Sequence, residues 1–180
     1  MEDGSPIQAN LYDTDLTAWA EQQAAALRAR AGGGNALDYD NLAEEIDDVA
    51  GSLLRSCRSY LAVIIEHLLK LQFTLSTRDE RGWKQSVRAA RGDLEEDLSP
   101  TLRSRLPDQM PNFFDTRLKR LRDNDLGLNI DTIRQALPNG YSWEQLTSDD
   151  WWPVPAREEK PSESGCRISP SPRSPPSGTA

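Results

Sequence analysis

Apolar residues return every three or four positions along most of this chain, the period of an α-helix, and nowhere alternate with period two over a useful length. The pattern predicts an all-α fold, a single helical bundle of five to six helices without a sheet. A first helix starts at Asp13 or Asp15, whose short carboxylate suits the free amides of a first turn, and turns Leu16, Trp19, Ala20, Gln23 and Leu27 inward. Ala24, Ala25 and Ala26 add helix propensity, and Gly32–Gly34 ends the element. A second helix begins near Asp38 or Asp40 with Leu42, Ile46, Val49 and Leu53 as its inward stripe. At Gly51 it either breaks or runs on into a third, at 52–76, where Leu54, Cys57, Leu61, Ile64, Ile65, Leu68 and Leu71 cover more than a narrow stripe. A helix apolar over that much of its circumference belongs at the centre.

A fourth helix covers 79–98 with Trp83, Val87, Ala90, Leu94 and Leu98 inside, closed by Ser99-Pro100, because the residue before proline leaves the helical region. Pro107 and Pro111 bracket a short connection to a fifth at 112–123, carrying Phe113, Phe114, Leu118 and Leu121. A sixth, short helix covers 131–137. Tyr141 to Leu146 reads as a capped helical turn, and Trp151-Trp152-Pro153 as an aromatic clasp on the bundle. Residues 1–10 are then a flexible N-terminus and 11–153 the helical domain. From 154 to 180 prolines and serines dominate, Ile168 is almost the sole large apolar side chain, and a disordered tail follows, since so little burial cannot offset the entropy of ordering. Ser169-Pro170 and Ser174-Pro175 fall within it and read as plain disordered sequence.

Charge alters this picture in one respect. The net charge of −8 disfavours a general nucleic-acid binder, but it is unevenly spread. Residues 1–50 hold eleven acids and two bases, residues 51–125 eleven and fourteen, and residues 126–180 seven and five. An acidic first third beside a mildly basic middle suits helical layers that pair with each other. Two cysteines, Cys57 and Cys166, cannot build a disulfide framework and suit a reducing compartment. The start Met1-Glu-Asp-Gly-Ser-Pro6 lacks the basic and apolar regions of a signal peptide, and the longest apolar run is too short to span a membrane. A cytoplasmic protein without a membrane partner is the expectation.

His67, the one histidine, lies on a face with Tyr60, Val63, Ile64 and Leu71, so a titratable ring points toward the core and needs a partner. Glu45 borders the stripe of the second helix, and Arg91 lies between Val87 and Leu94 on the fourth. A cluster of Glu45 and His67, balanced by Arg91 or Lys70, is the candidate site: a polar network fixing helix register, or alternatively the centre of a small-molecule or metal-dependent enzyme. Glu44, Glu45 and Asp48 are weak candidates for a single divalent cation. With one histidine and no Glu-x-x-His, a di-iron bundle is excluded, and a zinc site lacks its thiolates and imidazoles. No cofactor is implied. Cys57 and His67 are ten residues apart on one helix and cannot form a dyad. No nucleophile elbow is present, and Gly32–Gly34 lacks the lysine of a phosphate loop. Arg78, Arg81, Lys84, Arg88 and Arg91 make a basic stripe, the basis of a third reading as a nucleic-acid-associated factor.

Tyr12-Asp13-x-Asp15-x3-Trp19, Leu37-Asp38-x3-Leu42-Ala43-Glu44-Glu45-Ile46, His67-Leu68-Leu69-Lys70, Trp83-x7-Arg91, Ser99-Pro100-x-Leu102 and Trp152-Pro153 occur in that order. This succession resembles a mostly bacterial family called domain of unknown function 29, over about residues 11–153. The resemblance implies an all-helical domain and carries with it no reaction, ligand or partner. What remains is the expectation of a non-enzymatic protein-interaction or assembly module, with a protein partner or a second copy as occupant.

Overall fold

The computed structural model describes residues 7–30, 37–74, 78–122 and 129–156. Seven helices and no strand occur among them: α1 (Ile7–Thr14), α2 (Leu16–Arg28), α3 (Tyr39–Phe73), α4 (Glu80–Asp97), α5 (Pro100–Arg122), α6 (Ile130–Ala136) and α7 (Trp143–Thr147). The all-α class expected from periodicity is the one observed. The expectations for Gly32–Gly34, Cys166 and the serine-proline tail fall outside the described residues. Helix α1 begins at Ile7, four residues before the boundary expected for the helical domain.

α3 is the spine. The second and third predicted helices are one helix of 35 residues, about 52 Å long. Asp38 caps it, accepting from the Asn41 amide at 3.2 Å. Gly51 does not break it, because a helical glycine costs only about 1 kcal/mol relative to alanine and packing on both sides outweighs that. The missing side chain also makes room for Arg55, whose Nη1 lies 3.1 Å from where a Cβ would stand.

The helices around α3 divide its length. α2 packs antiparallel on the first half: Arg28 pairs with Asp47, while Thr17 and Glu21 lie beside Ala50, Gly51 and Leu54. Ala20, Ala24, Ala43 and Ala50 are all buried, so backbones approach over small side chains. α4 packs antiparallel on the second half, where the Cys57 thiol meets the Asp97 carbonyl at 3.7 Å. Burial pushes that thiol up to about 11, helped by Asp97, so it stays protonated and inert. α5 runs alongside α3 in the same direction, joined by Arg58–Gln109 and Arg117–Glu66. The core collects Leu61, Ile64, Ile65 and Leu68 of α3, Val87 and Leu94 of α4, Leu102, Leu106 and Leu118 of α5, and Ile133 and Leu146.

Pro107 and Pro111 lie inside α5 and do not bracket a loop. Each removes one ladder donor. The stripe Leu106, Met110, Phe114, Leu118 and Leu121 nevertheless buries along the whole helix, each of its large side chains contributing about 1.5–3 kcal/mol. That burial outweighs two missing bonds.

A single carboxylate joins the two halves of the bundle near the middle of α3. Asp15 caps α2 by accepting from the Ala18 amide at 3.0 Å, and its other oxygen accepts from the Thr101 amide at 2.8 Å and hydroxyl at 2.7 Å. It therefore serves the first turns of α2 and α5 together, beside a Ser99–Thr17 hydroxyl contact at 2.8 Å. Burial raises its pKa, but the bonds from Ala18, Thr101 and Ser99 outweigh burial and hold the carboxyl below its ordinary value.

Candidate functional site

Glu45 and His67 do not meet. They lie 22 residues apart on the single helix α3, about 33 Å along its axis. Their contact required two antiparallel helices where there is one. Glu45 is exposed. His67 is half-buried and satisfies its ring within its own helix, Nδ1–H donating to the Val63 carbonyl at 2.9 Å. Lys70 is held by Glu66 at 2.8 Å, one turn back.

Arg91 is elsewhere again, and its surroundings explain why it is only 3 % exposed. Its Nε donates to the Leu146 carbonyl at 2.9 Å and Nη2 to the Gln145 carbonyl at 2.8 Å, with both terminal nitrogens 3.3 Å from the Trp151 carbonyl. These are carbonyls of the last turn of α7 and of the irregular segment after it, where a cation complements the helix dipole. Trp152 covers the guanidinium, ring centre 5.2 Å from Cζ. Burial lowers the Arg91 pKa, opposed by Asp149. Arg91 thus fastens the C-terminal aromatic segment onto α4, a structural clasp. Ser142 and Gln145 close the start of α7 as a reciprocal capping box.

The same clasp consumes much of the basic stripe. Arg88 lies 5.4 Å and Lys84 6.0 Å from the Trp152 ring centre, and Lys84 also pairs with Glu80 at 2.7 Å. The stripe expected as a phosphate-reading face is, from Lys84 to Arg91, the seat of Trp152.

Glu44, Glu45 and Asp48 are exposed on α3. Among the described residues no group of three or more His, Cys, Asp or Glu is placed to hold a metal ion. The expectation of a cation site at this acidic run has no geometry behind it.

The α3 stripe expected to face inward does so only at its end, where Leu53 packs against the core. Leu42 is 40 % and Val49 37 % exposed, while Ile46 and Leu53 are half-buried. α2 sits instead on the neighbouring alanine face, Ala43 and Ala50, because its own inner side chains are Ala20 and Ala24. Leu42, Ile46, Val49 and Leu53 follow at steps of four, three and four, the spacing of a helix-pairing seam. Asp38, Glu45 and Asp48, all exposed, border it on the side away from α2. Small residues at 20, 24, 43 and 50 were the signal that the alanines, and not the larger side chains, pack together.

No helix of the described residues is long and apolar enough to cross a membrane. No curated protein sequence matches the chain. A solved structure does: an alpha-helical protein of unknown function from Rhodospirillum rubrum, 22 % identical, covering 78 % of this chain and 90 % of that one, with a TM-score of 0.55. That likeness concerns the fold. The family model described as Domain of unknown function DUF29 matches residues 11–152, from the residue beside Tyr12 to the Trp152 that covers Arg91. The chain is a member of the DUF29 family of helical domains.

Proposed function

We propose that this domain is a protein-interaction module, acting in the bacterial cytoplasm, that docks a partner helix along Leu42, Ile46, Val49 and Leu53. The observation that carries this reading is the exposure of Leu42 and Val49 on a helix whose adjacent face is already taken by α2. Contiguous apolar side chains left in water at helical spacing favour a covering helix. Charge selects its kind. Between residues 31 and 54 the chain has six acids and no base. A second copy would bring an equally acidic helix against this one. An amphipathic helix with an apolar face flanked by lysines and arginines meets both the seam and its border. The enzymatic alternative loses its support with the separation of Glu45 from His67 and the engagement of Arg91 by the Gln145, Leu146 and Trp151 carbonyls.

A photo-crosslinking residue at Val49, with exposed Arg81 as the control position, tests this in cells that make the protein. The expected result is a discrete adduct at 49 alone, to a segment rich in Lys and Arg by mass spectrometry. An adduct to another copy of this chain would replace the foreign partner by self-assembly. No adduct at 49 above the level at 81 would end the proposal.

A further inference from the structure

On the opposite side of α3 from the seam, α3 and α5 leave a groove between them of roughly 360 Å³. Arg55 and Arg58 stand on one wall and Arg117 and Arg120 on the other, with Ser59 beside them and Ala62, Val63 and Phe113 as the apolar lining. No carboxylate lines it. In a chain of net charge −8 this is a notable concentration of one sign. Four arginines elsewhere on the surface are matched: Arg28 with Asp47, Arg103 with Glu95, Arg105 with Glu21, Arg134 with Asp115. Those of the groove are not. Arg58 donates to the neutral Gln109 amide oxygen at 2.6 Å. Arg117 has Glu66 only at 3.8 Å, a carboxylate that Lys70 already holds at 2.8 Å. Arg55 and Arg120 make no ion pair among the described residues. Arg117 Nε is buried and no acceptor reaches it, the one such side-chain atom among the described residues. A buried donor without an acceptor is costly, and the part of the Arg117 side chain still open to solvent, 22 % of it, faces the groove.

We propose that this groove binds a small phosphate ester, its phosphate held by Arg58, Arg117 and Arg120, with Arg55 closing the end. Guanidinium groups from two walls suit the several oxygens of a phosphate, which accept paired N–H bonds. The apolar lining is more than a bare phosphate uses. Past Arg58 and Phe113 the groove opens into a second hollow of roughly 380 Å³, where Gln109, Asn112 and Asp108 present amide and carboxylate groups. Such a hollow suits a polar ring. A ligand of mononucleotide size and character spans the two, and the sizes fall in the range of small-molecule sites. Both walls are helices with one face in the core, so the site is held without a loop.

Thermal melts and calorimetry on the full chain test it with ADP, adenosine, pyrophosphate and a 20-nucleotide RNA as probes, sulfate at matched ionic strength being the control. The comparison variant is Arg58→Gln with Arg120→Gln, both exposed positions whose change leaves the core untouched. ADP is expected to raise the melting temperature of the wild type and to bind at least tenfold more weakly to the variant, with adenosine silent. Equal ADP binding by the variant, or an adenosine effect as large as that of ADP, overturns the site. Pyrophosphate binding as tightly as ADP removes the ring from the proposal. Binding of the RNA without ADP would make the groove a nucleic-acid face instead, and no response to any phosphate probe at millimolar concentration ends the inference.

Discussion

Replacing Arg91 distinguishes a clasp from a charge. Its guanidinium serves three carbonyls, of Gln145, Leu146 and Trp151, at 2.8–3.3 Å and lies under Trp152. Hydrogen bonds to a charged group contribute about 1.5–3 kcal/mol each. Desolvation of the cation returns part of that, as its lowered pKa reflects. Arg91→Met, close in size, therefore costs about 3 kcal/mol and lowers the melting temperature by roughly 6–12 °C. Arg91→Lys is the sharper variant. It keeps the charge but cannot reach three acceptors with one fork, so it costs about 2 kcal/mol. Urea unfolding followed by both circular dichroism and tryptophan fluorescence measures each, the fluorescence shifting red as Trp152 loses its cover. The reasoning fails if Arg91→Lys lies within about 0.5 kcal/mol of wild type, since charge alone would then suffice. A more stable Arg91→Met would mean the cation is retained at a cost to folding, as at a functional site.

Three further outcomes follow from the same geometry. Asp15 has a folded pKa below its ordinary 3.8, so its contribution is fully present above the unfolded value and is lost as pH falls through the folded one; Asp15→Asn should lower stability by about 1–2 kcal/mol near neutral pH, and the gap to wild type should narrow in an acid titration once the pH falls below 3.8. Gly140 has φ +75°, and a Cβ there would lie 2.6 Å from Phe114 Cγ; Gly140→Ala should cost about 2–3 kcal/mol by denaturant melt, through backbone strain and the displacement of a core ring together. Arg117→Met removes a buried unpaired donor and should raise the stability of the ligand-free protein by about 1 kcal/mol, while abolishing the response to ADP.

The helices themselves were legible because their cause is local. Period, capping and breaking act within four residues, so the Asp15 cap, the α4 end at Ser99-Pro100 and the capped turn at Ser142 follow from neighbouring side chains alone. The central part of α3 was equally clear, its burial following from an apolar circumference that only a surrounded helix can satisfy. The joins were not. Whether Gly51 breaks a helix, or Pro107 and Pro111 interrupt one, depends on what packs against each side, which no local pattern contains.

The site went the same way, for the same reason. His67, Glu45 and Arg91 each sit where a polar group on an apolar stripe is expected, yet meeting requires three helices arranged in one particular order. Once α3 is continuous, that order is unavailable. The inward reading of Leu42 and Val49 likewise took hydrophobicity for burial, whereas α2 offers only alanines and settles on the alanine face of α3. Arg55 and Arg58 lie about sixty residues from Arg117 and Arg120 in the chain, a separation over which spacing says nothing. By itself the sequence determined the helices, the family and the place of the aromatic clasp, all of them set by short-range chemistry. Tertiary structure alone decided which apolar face stays in water and which arginines share a groove, because both depend on how distant helices divide a limited surface between them.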